Sequence, residues 1–284
     1  MDPVARRGAV FVVGVLAALI GGYFVGKTSV PSPPASPPPA HAHAGPEYSL
    51  ALESSDFSLG VSRDLRFRIA GASGDTVTEF LVKHDKQMHV VVVRSDLTGY
   101  QHLHPTLGPD GVWSVPLTLN APGTWRVFAD FAAVGGVDAT AAAFLSVGGV
   151  FSPSVLPPVG SAADVSGVSV TLDGRARPGG TEPLTFTVSS SGSPSLGSPS
   201  LGPPSLGPPS LGPPSLGPLD RYLGAYGHLV LVRAGDLAFV HVHPEDALRG
   251  GSVRFWVTLP GPGTYRAFFD FSIAGVVRTA EFTL

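Results

Sequence analysis

The sequence predicts an all-β protein made of two tandem antiparallel β-sandwiches, of immunoglobulin-like or cupredoxin-like type, that follow an N-terminal transmembrane helix. Three observations support this prediction: a long internal repeat, many short strand-like segments separated by turn residues, and one apolar run near the N-terminus. Glycine and proline are abundant, with 36 and 29 residues, and only 14% of the residues are charged. This composition favours short strands joined by turns over helices.

The internal repeat defines the domain organisation. Residues 88–105 return as residues 227–244, and residues 123–131 return as residues 263–271. A repeat of this length indicates that one domain was duplicated. We therefore predict a first β-sandwich at residues 47–149, a linker at residues 150–163 and a second β-sandwich at residues 164–284.

Apolar residues within each repeat follow the two-residue period of half-buried strands. Residues 65–69 and 112–119 alternate apolar and polar side chains, whereas the valine run at residues 90–93 is typical of a buried central strand. The second repeat shows the same pattern, with predicted strands at residues 168–172, 184–188, 228–232, 239–243, 253–259 and 265–271. Six aromatic residues of the repeated stretches are predicted to lie in the cores: Trp125, Phe128, Phe131, Tyr265, Phe268 and Phe271.

An uncharged, mostly apolar run occupies residues 8–26, between Arg7 and Lys27. A helix of about nineteen residues spans roughly 28 Å, the thickness of a membrane's hydrocarbon core. Because positive charge precedes the run, we expect the N-terminus inside and the bulk of the chain extracytoplasmic. We predict an uncleaved signal anchor at residues 1–27, with a cleaved signal peptide as the alternative, and then an extended proline-rich spacer at residues 28–46.

A low-complexity insert interrupts the second repeat. It consists of five copies of a five-residue unit ending in Pro-Ser-Leu-Gly. Nothing in the unit can build a core, so we predict a disordered or polyproline-like loop at residues 193–218. A longer loop costs only about 0.6 kcal/mol per doubling of its length, so the domain can carry it.

The composition excludes several classes of function. A net charge of −3 without long basic runs gives no footprint for nucleic acid, and the absence of cysteine excludes disulfides and thiolate sites. The sequence has no Gly-x-Ser-x-Gly elbow, no phosphate-binding glycine loop and no His-Glu-x-x-His motif. We therefore expect a protein that is not an enzyme.

Three histidines recur in each repeat. His102 and His104 lie two residues apart, so their side chains leave the same face of a strand. His89 begins the neighbouring strand of the predicted hairpin. In an antiparallel hairpin, the residue numbers of two paired residues always add up to the same value, here called the number sum. If this sum is odd, His89 lies opposite His104 and on the same face as His102. If it is even, His89 points to the other face. The second repeat keeps the same spacings and therefore the same condition, for His228, His241 and His243.

Three imidazoles on one hairpin, in a chain without thiolates, suit Cu(II), Zn(II) or another borderline divalent metal. His84 and Met88 are candidate additional ligands in the first repeat only, because Leu223 and Gly227 replace them in the second. A thioether ligand would favour Cu(I). The alternative is that these imidazoles only hydrogen-bond backbone carbonyls at the strand ends.

Two acidic residues also recur beside arginines. Arg126 and Asp130 share one strand face, as do Arg266 and Asp270. We expect a structural ion pair in each repeat. The alternative is that Asp130 or Asp270 supplies a fourth, oxygen ligand to a metal.

The paired stretches "HDKQMHVVVVRSDLTGYQHLHP" and "YLGAYGHLVLVRAGDLAFVHVHP" are followed by "GTWRVFADF" and "GTYRAFFDF". Together they resemble a group of poorly characterised bacterial secreted or membrane-anchored proteins with tandem immunoglobulin-like domains and His-x-His-Pro motifs, associated with heavy-metal and copper handling. The resemblance covers about residues 80–145 and 220–284 and omits the anchor, the spacer and the insert. It implies an exported pair of β-sandwiches with a copper role, and it supplies no catalytic residue.

These observations lead to one main hypothesis. We expect a non-enzymatic protein, anchored in the cell membrane by one span, that binds or buffers copper, or alternatively zinc, at one histidine hairpin in each repeat. Its expected partners are the metal ion and the membrane, and not nucleic acid. The alternative is an extracytoplasmic structural or protein-interaction module whose histidines are purely structural.

Overall fold

The computed structural model describes residues 48–190, 218–242 and 244–284. The predicted anchor, the spacer and residues 193–217 of the predicted insert lie outside this part of the chain. The described residues form strands and loops without a helix, which confirms the predicted all-β class. No helix among them is long and apolar enough to cross a membrane. The described residues belong to one compact unit, Pro39–Leu284.

Among the described residues, the first repeat supplies nine strands and the second repeat supplies nine more. The first nine are β1 (Tyr48–Leu52), β2 (Asp56–Phe57), β3 (Arg63–Gly71), β4 (Met88–Arg94), β5 (Gln101–Leu103), β6 (Thr106–Leu107), β7 (Trp113–Leu117), β8 (Gly123–Ala132) and β9 (Asp138–Val147). The others are β10 (Ala162–Val165), β11 (Val168–Asp173), β12 (Thr181–Ser190), β13 (Leu219–Asp220), β14 (His228–Arg233), β15 (Phe239–Val242), β16 (Val253–Thr258), β17 (Tyr265–Ile273) and β18 (Val276–Thr283).

Each repeat forms two sheets. In the first repeat the sheets have the orders β1-β3-β7-β6 and β2-β9-β8-β4-β5. In the second repeat they have the orders β10-β11-β12-β16 and β13-β17-β14-β15, with β18 also paired to β17. Among these eighteen described strands, the pairs are antiparallel apart from the short parallel pair of β2 with β9.

Alternation along the strands builds one apolar core inside each repeat. In β3, for example, Leu65, Phe67 and Ile69 are fully buried while the residues between them are not. The core of the first repeat uses residues between Leu50 and Val147, and that of the second uses residues between Val168 and Phe282.

A third apolar cluster lies between the repeats and explains the valine run of β4. Val90 and Val92 enter the core of the first repeat, whereas Val91 and Val93 join a cluster that includes Val230 of β14. The strand is therefore buried on both faces because a second domain covers its outer face. Phe128 and Phe268, predicted as sandwich core, belong to this cluster as well.

The contact between the repeats follows an approximate twofold relation. Tyr100 stacks on Phe268 with ring centroids 4.1 Å apart, and Phe239 stacks on Phe128 at 4.6 Å. Tyr100 and Phe239 occupy equivalent positions in the two repeats, as do Phe128 and Phe268. Each repeat thus offers the other the same surface, as two subunits do in an isologous dimer.

The linker at residues 150–163 covers a buried ion pair at the turn after β4. Arg94 Nη2 and Asp96 Oδ2 lie 2.6 Å apart, and their side chains are 8% and 5% exposed. The backbone N–H of Ser154 donates to Asp96 Oδ2 at 2.8 Å, and the Arg94 guanidinium lies over the ring of Phe151. The linker therefore keeps water away from this pair.

A difference in side-chain size distinguishes the two repeats near the start of β4 and β14. Met88, at the first position of β4, is 1% exposed and belongs to the first core. Gly227 takes the equivalent place before β14, where an added Cβ would lie 2.5 Å from Phe269 Cε2 and 3.0 Å from the Asp270 carbonyl oxygen. In the second repeat, Phe269 fills the volume that Met88 fills in the first repeat.

We expect Gly227→Ala to lower the free energy of unfolding by about 1–3 kcal/mol, the usual cost of overpacking a core. Gly148→Ala is the matched control, because Gly148 is exposed and an added Cβ there meets nothing within 4 Å. Denaturant unfolding of both variants measures the difference. Equal midpoints for the two variants would show that the space beside Phe269 is not tight.

Candidate functional site

Three histidines of the first repeat meet at the contact between the repeats. Val91 of β4 pairs with His102 of β5, so the number sum is odd, and His89 shares a strand face with His102 and His104. Ligand nitrogens of these three rings lie within 4.8 Å of one another, and the ring centroids are 4.8, 5.1 and 5.4 Å apart. Imidazoles that share one tetrahedral zinc ion at about 2.0–2.1 Å per nitrogen have centroids about 5 Å apart. This histidine triad (His89, His102, His104) has the size of a metal site.

Two of these rings contact groups that can only accept a hydrogen bond, so the ring nitrogen at each contact carries the proton. His89 Nε2 lies 3.3 Å from the carbonyl oxygen of Lys83, so it donates there. His102 Nδ1 lies 2.9 Å from Asp270 Oδ2 and donates to that carboxylate. The remaining nitrogens, His89 Nδ1 and His102 Nε2, face each other at 3.2 Å. In the neutral rings both of these nitrogens carry lone pairs.

His104 supplies the third nitrogen of the triad. Burial, followed by the positive charges that His102 and Lys86 can carry, lowers the pKa of His104 to about 3. Its ring is therefore neutral at physiological pH. His104 Nε2 is buried and has no hydrogen-bond partner within the described part of the chain.

The second repeat places its own histidine against the triad. His228 is 1% exposed, and its ring centroid lies 6.1 Å from that of His89 and 6.0 Å from that of His102. His228 Nε2 lies 3.0 Å from the carbonyl oxygen of Tyr222, as His89 Nε2 does from that of Lys83. The sequence assigned His228 to a site of the second repeat, and the structure places its ring beside the triad of the first repeat. The reason is that the two histidine-bearing sheets pack face to face.

Two tight turns, one from each repeat, meet beside this cluster. In the turn Lys83–Lys86, His84 and Asp85 have φ angles of 48° and 60°. In the second repeat, Gly224 occupies the position of Asp85, within the turn Tyr222–Ala225, and its φ is 73°. A Cβ on Gly224 would lie 3.6 Å from Asp85 Oδ2, so the two turns approach each other closely. The ring of His84 lies 5.5 Å from that of His228, which places this candidate ligand nearer the second repeat than its own triad.

Asp270 is the buried partner of His102. It is 2% exposed and accepts hydrogen bonds from the Tyr100 hydroxyl at 2.8 Å and from Thr279 Oγ1 at 2.5 Å. Burial and the neighbouring carboxylate raise the pKa of Tyr100, so the phenol stays protonated and donates. Tyr100 carries no motif of its own; its sequence signal is its position two residues before His102, on the same face of the chain.

The predicted arginine–aspartate ion pair is wrong in the second repeat. Arg266 pairs instead with Glu281 at 2.6 Å, while Asp270 binds His102. The Cα atoms of residues four apart on a strand are separated by about 13 Å, which is too far for a direct ion pair between Arg266 and Asp270. In the first repeat, Arg126 lies over the ring of Phe144, 4.1 Å from its centroid.

The other predicted ligands have different outcomes. Met88 points into the core of the first repeat, because neighbouring residues of a strand face opposite ways, and its thioether cannot join the triad. Val230 pairs with His241, so the number sum is odd in the second repeat too. The side chain of His241 and the whole of residue 243 lie outside the described residues. His241 and His243 therefore stay predictions.

A family model described as "Domain of unknown function (DUF8832)" matches residues 42–149 and 212–284, more than half of the chain. A comparison with curated proteins finds no significant match.

Several solved structures share a limited likeness with the chain. The Escherichia coli adhesin FdeC is 16% identical, with a TM-score of 0.27, over 86% of this chain and 65% of its own. A putative membrane-anchored protein from Corynebacterium diphtheriae is 9% identical, with a TM-score of 0.23, over 84% and 57%. Salmonella alpha-2-macroglobulin is 12% identical, with a TM-score of 0.27, over 90% and 16%. The chain spans less than two thirds of the length of each of these three, and TM-scores of this size carry no functional argument.

Proposed function

Because the chain belongs to the family described as "Domain of unknown function (DUF8832)", which assigns no activity, we propose its function from the site itself. We propose that the histidine triad binds one copper or zinc ion through His89 Nδ1, His102 Nε2 and His104 Nε2. The protein then acts as an extracytoplasmic metal-binding or metal-buffering protein.

The observation that carries this proposal is the pair of ring nitrogens that face each other at 3.2 Å. Each ring already donates its proton to another acceptor, so two lone pairs meet in a buried place. A proton shared between these two nitrogens would leave His104 Nε2 without a hydrogen-bond partner among the described residues. One metal ion would accept a lone pair from each of the three imidazoles, which is why the geometry favours a metal.

The donor set limits the choice of metal. The chain has no cysteine, and Met88 lies in the core, so the triad offers imidazole nitrogens alone. Imidazole ligands suit Cu(II) and Zn(II), and Cu(II) binds a given site more tightly than Zn(II). We therefore propose copper as the preferred ion and zinc as the alternative.

Binding rather than catalysis is the role that the burial supports. A catalytic metal keeps an open position for water or substrate, whereas His89 is 4% exposed and His228 is 1% exposed beside the triad. We propose no enzymatic activity. The apolar run at residues 8–26 supports, as part of the same proposal, a membrane anchor that holds the chain outside the cytoplasm.

Calorimetric titration of the full-length chain with Cu(II) and with Zn(II) tests the proposal. We expect one tightly bound ion at the triad, and we expect His102→Ala/His104→Ala to weaken its binding by more than about 100-fold. Loss of two ligands should exceed the 10- to 100-fold effect that is typical of outer-shell changes. His41→Ala/His43→Ala is the matched control, because it removes the same pair of residues at the same spacing from the spacer.

Equal binding by wild type and the His102/His104 variant, or no binding by either, would contradict the metal proposal. The histidines would then be structural, and the protein would be a protein-interaction module. If His241 and His243 hold a second ion, the wild-type titration should show a second equivalent that His241→Ala/His243→Ala removes.

A further inference from the structure

We infer that the second repeat controls the metal affinity of the first, because Asp270 fixes the tautomer of His102 from across the contact between the repeats. This inference rests on the proposed function and assigns Asp270 the part of a positioning residue. It does not make Asp270 a ligand, because its Oδ2 already accepts the proton of His102 Nδ1 at 2.9 Å.

The first step of the argument is the direction of the His102 ring. A neutral imidazole carries one proton, and only the other nitrogen can bind a metal. Asp270 Oδ2 accepts from Nδ1 at 2.9 Å, so the lone pair is on Nε2, which is the nitrogen that faces His89. Without this carboxylate, a proton on Nε2 would satisfy His89 Nδ1 by an ordinary hydrogen bond and would close the site.

The second step is the rigidity of Asp270 itself. Tyr100 and Thr279 donate to its two oxygens, and its backbone lies in β17, paired with His228 of β14. The carboxylate therefore has a fixed position relative to the second repeat. A carboxylate that accepts a proton from a ligating histidine orients the ring and raises its basicity, and its removal typically costs 10- to 100-fold in metal affinity.

The third step is the origin of the two groups. His102 belongs to the first repeat and Asp270 to the second, so the arrangement exists only where the two repeats are in contact. The same contact stacks Tyr100 on Phe268, two residues before Asp270. Any change that separates the repeats should therefore weaken metal binding although every ligand of the triad stays in place.

Zinc titration of the full-length chain, with histidine tautomers measured by ¹⁵N NMR, tests the inference. We expect Asp270→Asn to weaken Zn(II) binding by 10- to 100-fold and to shift the His102 proton from Nδ1 towards Nε2. Tyr100→Phe is the matched control, because it keeps the carboxylate and the aromatic stack and copies the residue at the equivalent position, Phe239. Its loss of affinity should be much smaller.

The wild-type spectrum alone can overturn the inference, even where Asp270→Asn does not fold: a His102 proton on Nε2 in the metal-free protein would contradict it. Wild-type zinc binding together with unchanged affinity in a folded Asp270→Asn protein would overturn this inference and leave the proposed function intact. Absence of zinc and copper binding by the wild-type chain would overturn both.

Discussion

Phe268→Ala should lower the free energy of unfolding by about 3–5 kcal/mol, the range for removal of a buried phenylalanine. Phe268 is 0% exposed, and it belongs to the apolar cluster between the repeats, where it stacks on Tyr100. The variant leaves a cavity that both repeats line. Because the core of each repeat is separate from this cluster, the loss should fall on the contact between the repeats.

Urea denaturation measures this loss, and limited proteolysis within residues 150–163 reports separation of the repeats. Phe144→Ala is the control: the same atoms are removed from a side chain that is 55% exposed. A similar small effect for both variants would show that the repeats do not depend on the aromatic stack.

Asp96→Asn should also cost about 3–5 kcal/mol, because it leaves the Arg94 guanidinium buried without its counter-charge. Asp96 accepts hydrogen bonds from Arg94, Thr98 and the Ser154 backbone. Thermal or urea denaturation at neutral pH gives the difference from wild type.

The pH dependence of this difference has a definite sign. Burial alone would raise the pKa of Asp96, but hydrogen bonds from Arg94, Ser154 and Thr98 lower it overall. A carboxyl group with a lowered folded-state pKa stabilises the fold above its unfolded pKa, about 3.9 for aspartate, and loses that contribution as the pH falls through the folded value. Wild type and Asp96→Asn should therefore differ most above about pH 4 and converge in stronger acid.

The second repeat provides the matched control in Asp236→Asn. Arg233 Nη2 and Asp236 Oδ2 are 2.5 Å apart, and the hydrogen bond from Arg233 lowers the pKa of Asp236 to about 2. The Asp236 side chain is 54% exposed, so water screens the pair and the low pKa gives little stability. A loss in Asp236→Asn as large as that in Asp96→Asn would show that cover by the linker is not what makes the first pair important.

Much of the fold follows from local pattern. The strands predicted from alternation at residues 65–69, 112–119 and 253–259 appear as β3, β7 and β16 with shifted ends. The docking of one repeat on the other could not be predicted, because the valine run at residues 90–93 looks the same whether a helix, a sheet or a second domain covers it. The residues that cover the outer face of β4 come from the second repeat and are distant in sequence.

The site shows the same division. The sequence left open whether the number sum of the β4–β5 hairpin is odd or even, and the structure gives an odd sum. The two-residue period of a strand would by itself separate Met88 from His89. The bond between His102 and Asp270 joins residues 168 positions apart. No spacing rule reaches that far, because it depends on how two complete domains pack, and so the aspartates were predicted to pair with arginines on their own strands.

Because both partners of the approximate twofold contact belong to one chain, their association does not depend on the protein concentration. Two separate copies of such a domain would associate only when their concentration exceeded the dissociation constant of the pair. Here a fourteen-residue tether holds the partners together, and short flexible tethers give effective concentrations in the millimolar range. The cluster formed by His102 and Asp270 therefore stays assembled in a single molecule, however few copies of the chain are present. Because both repeats belong to one chain, their sequences can differ, unlike those of two identical subunits. Tyr100 can therefore donate to a carboxylate, whereas its counterpart Phe239 cannot.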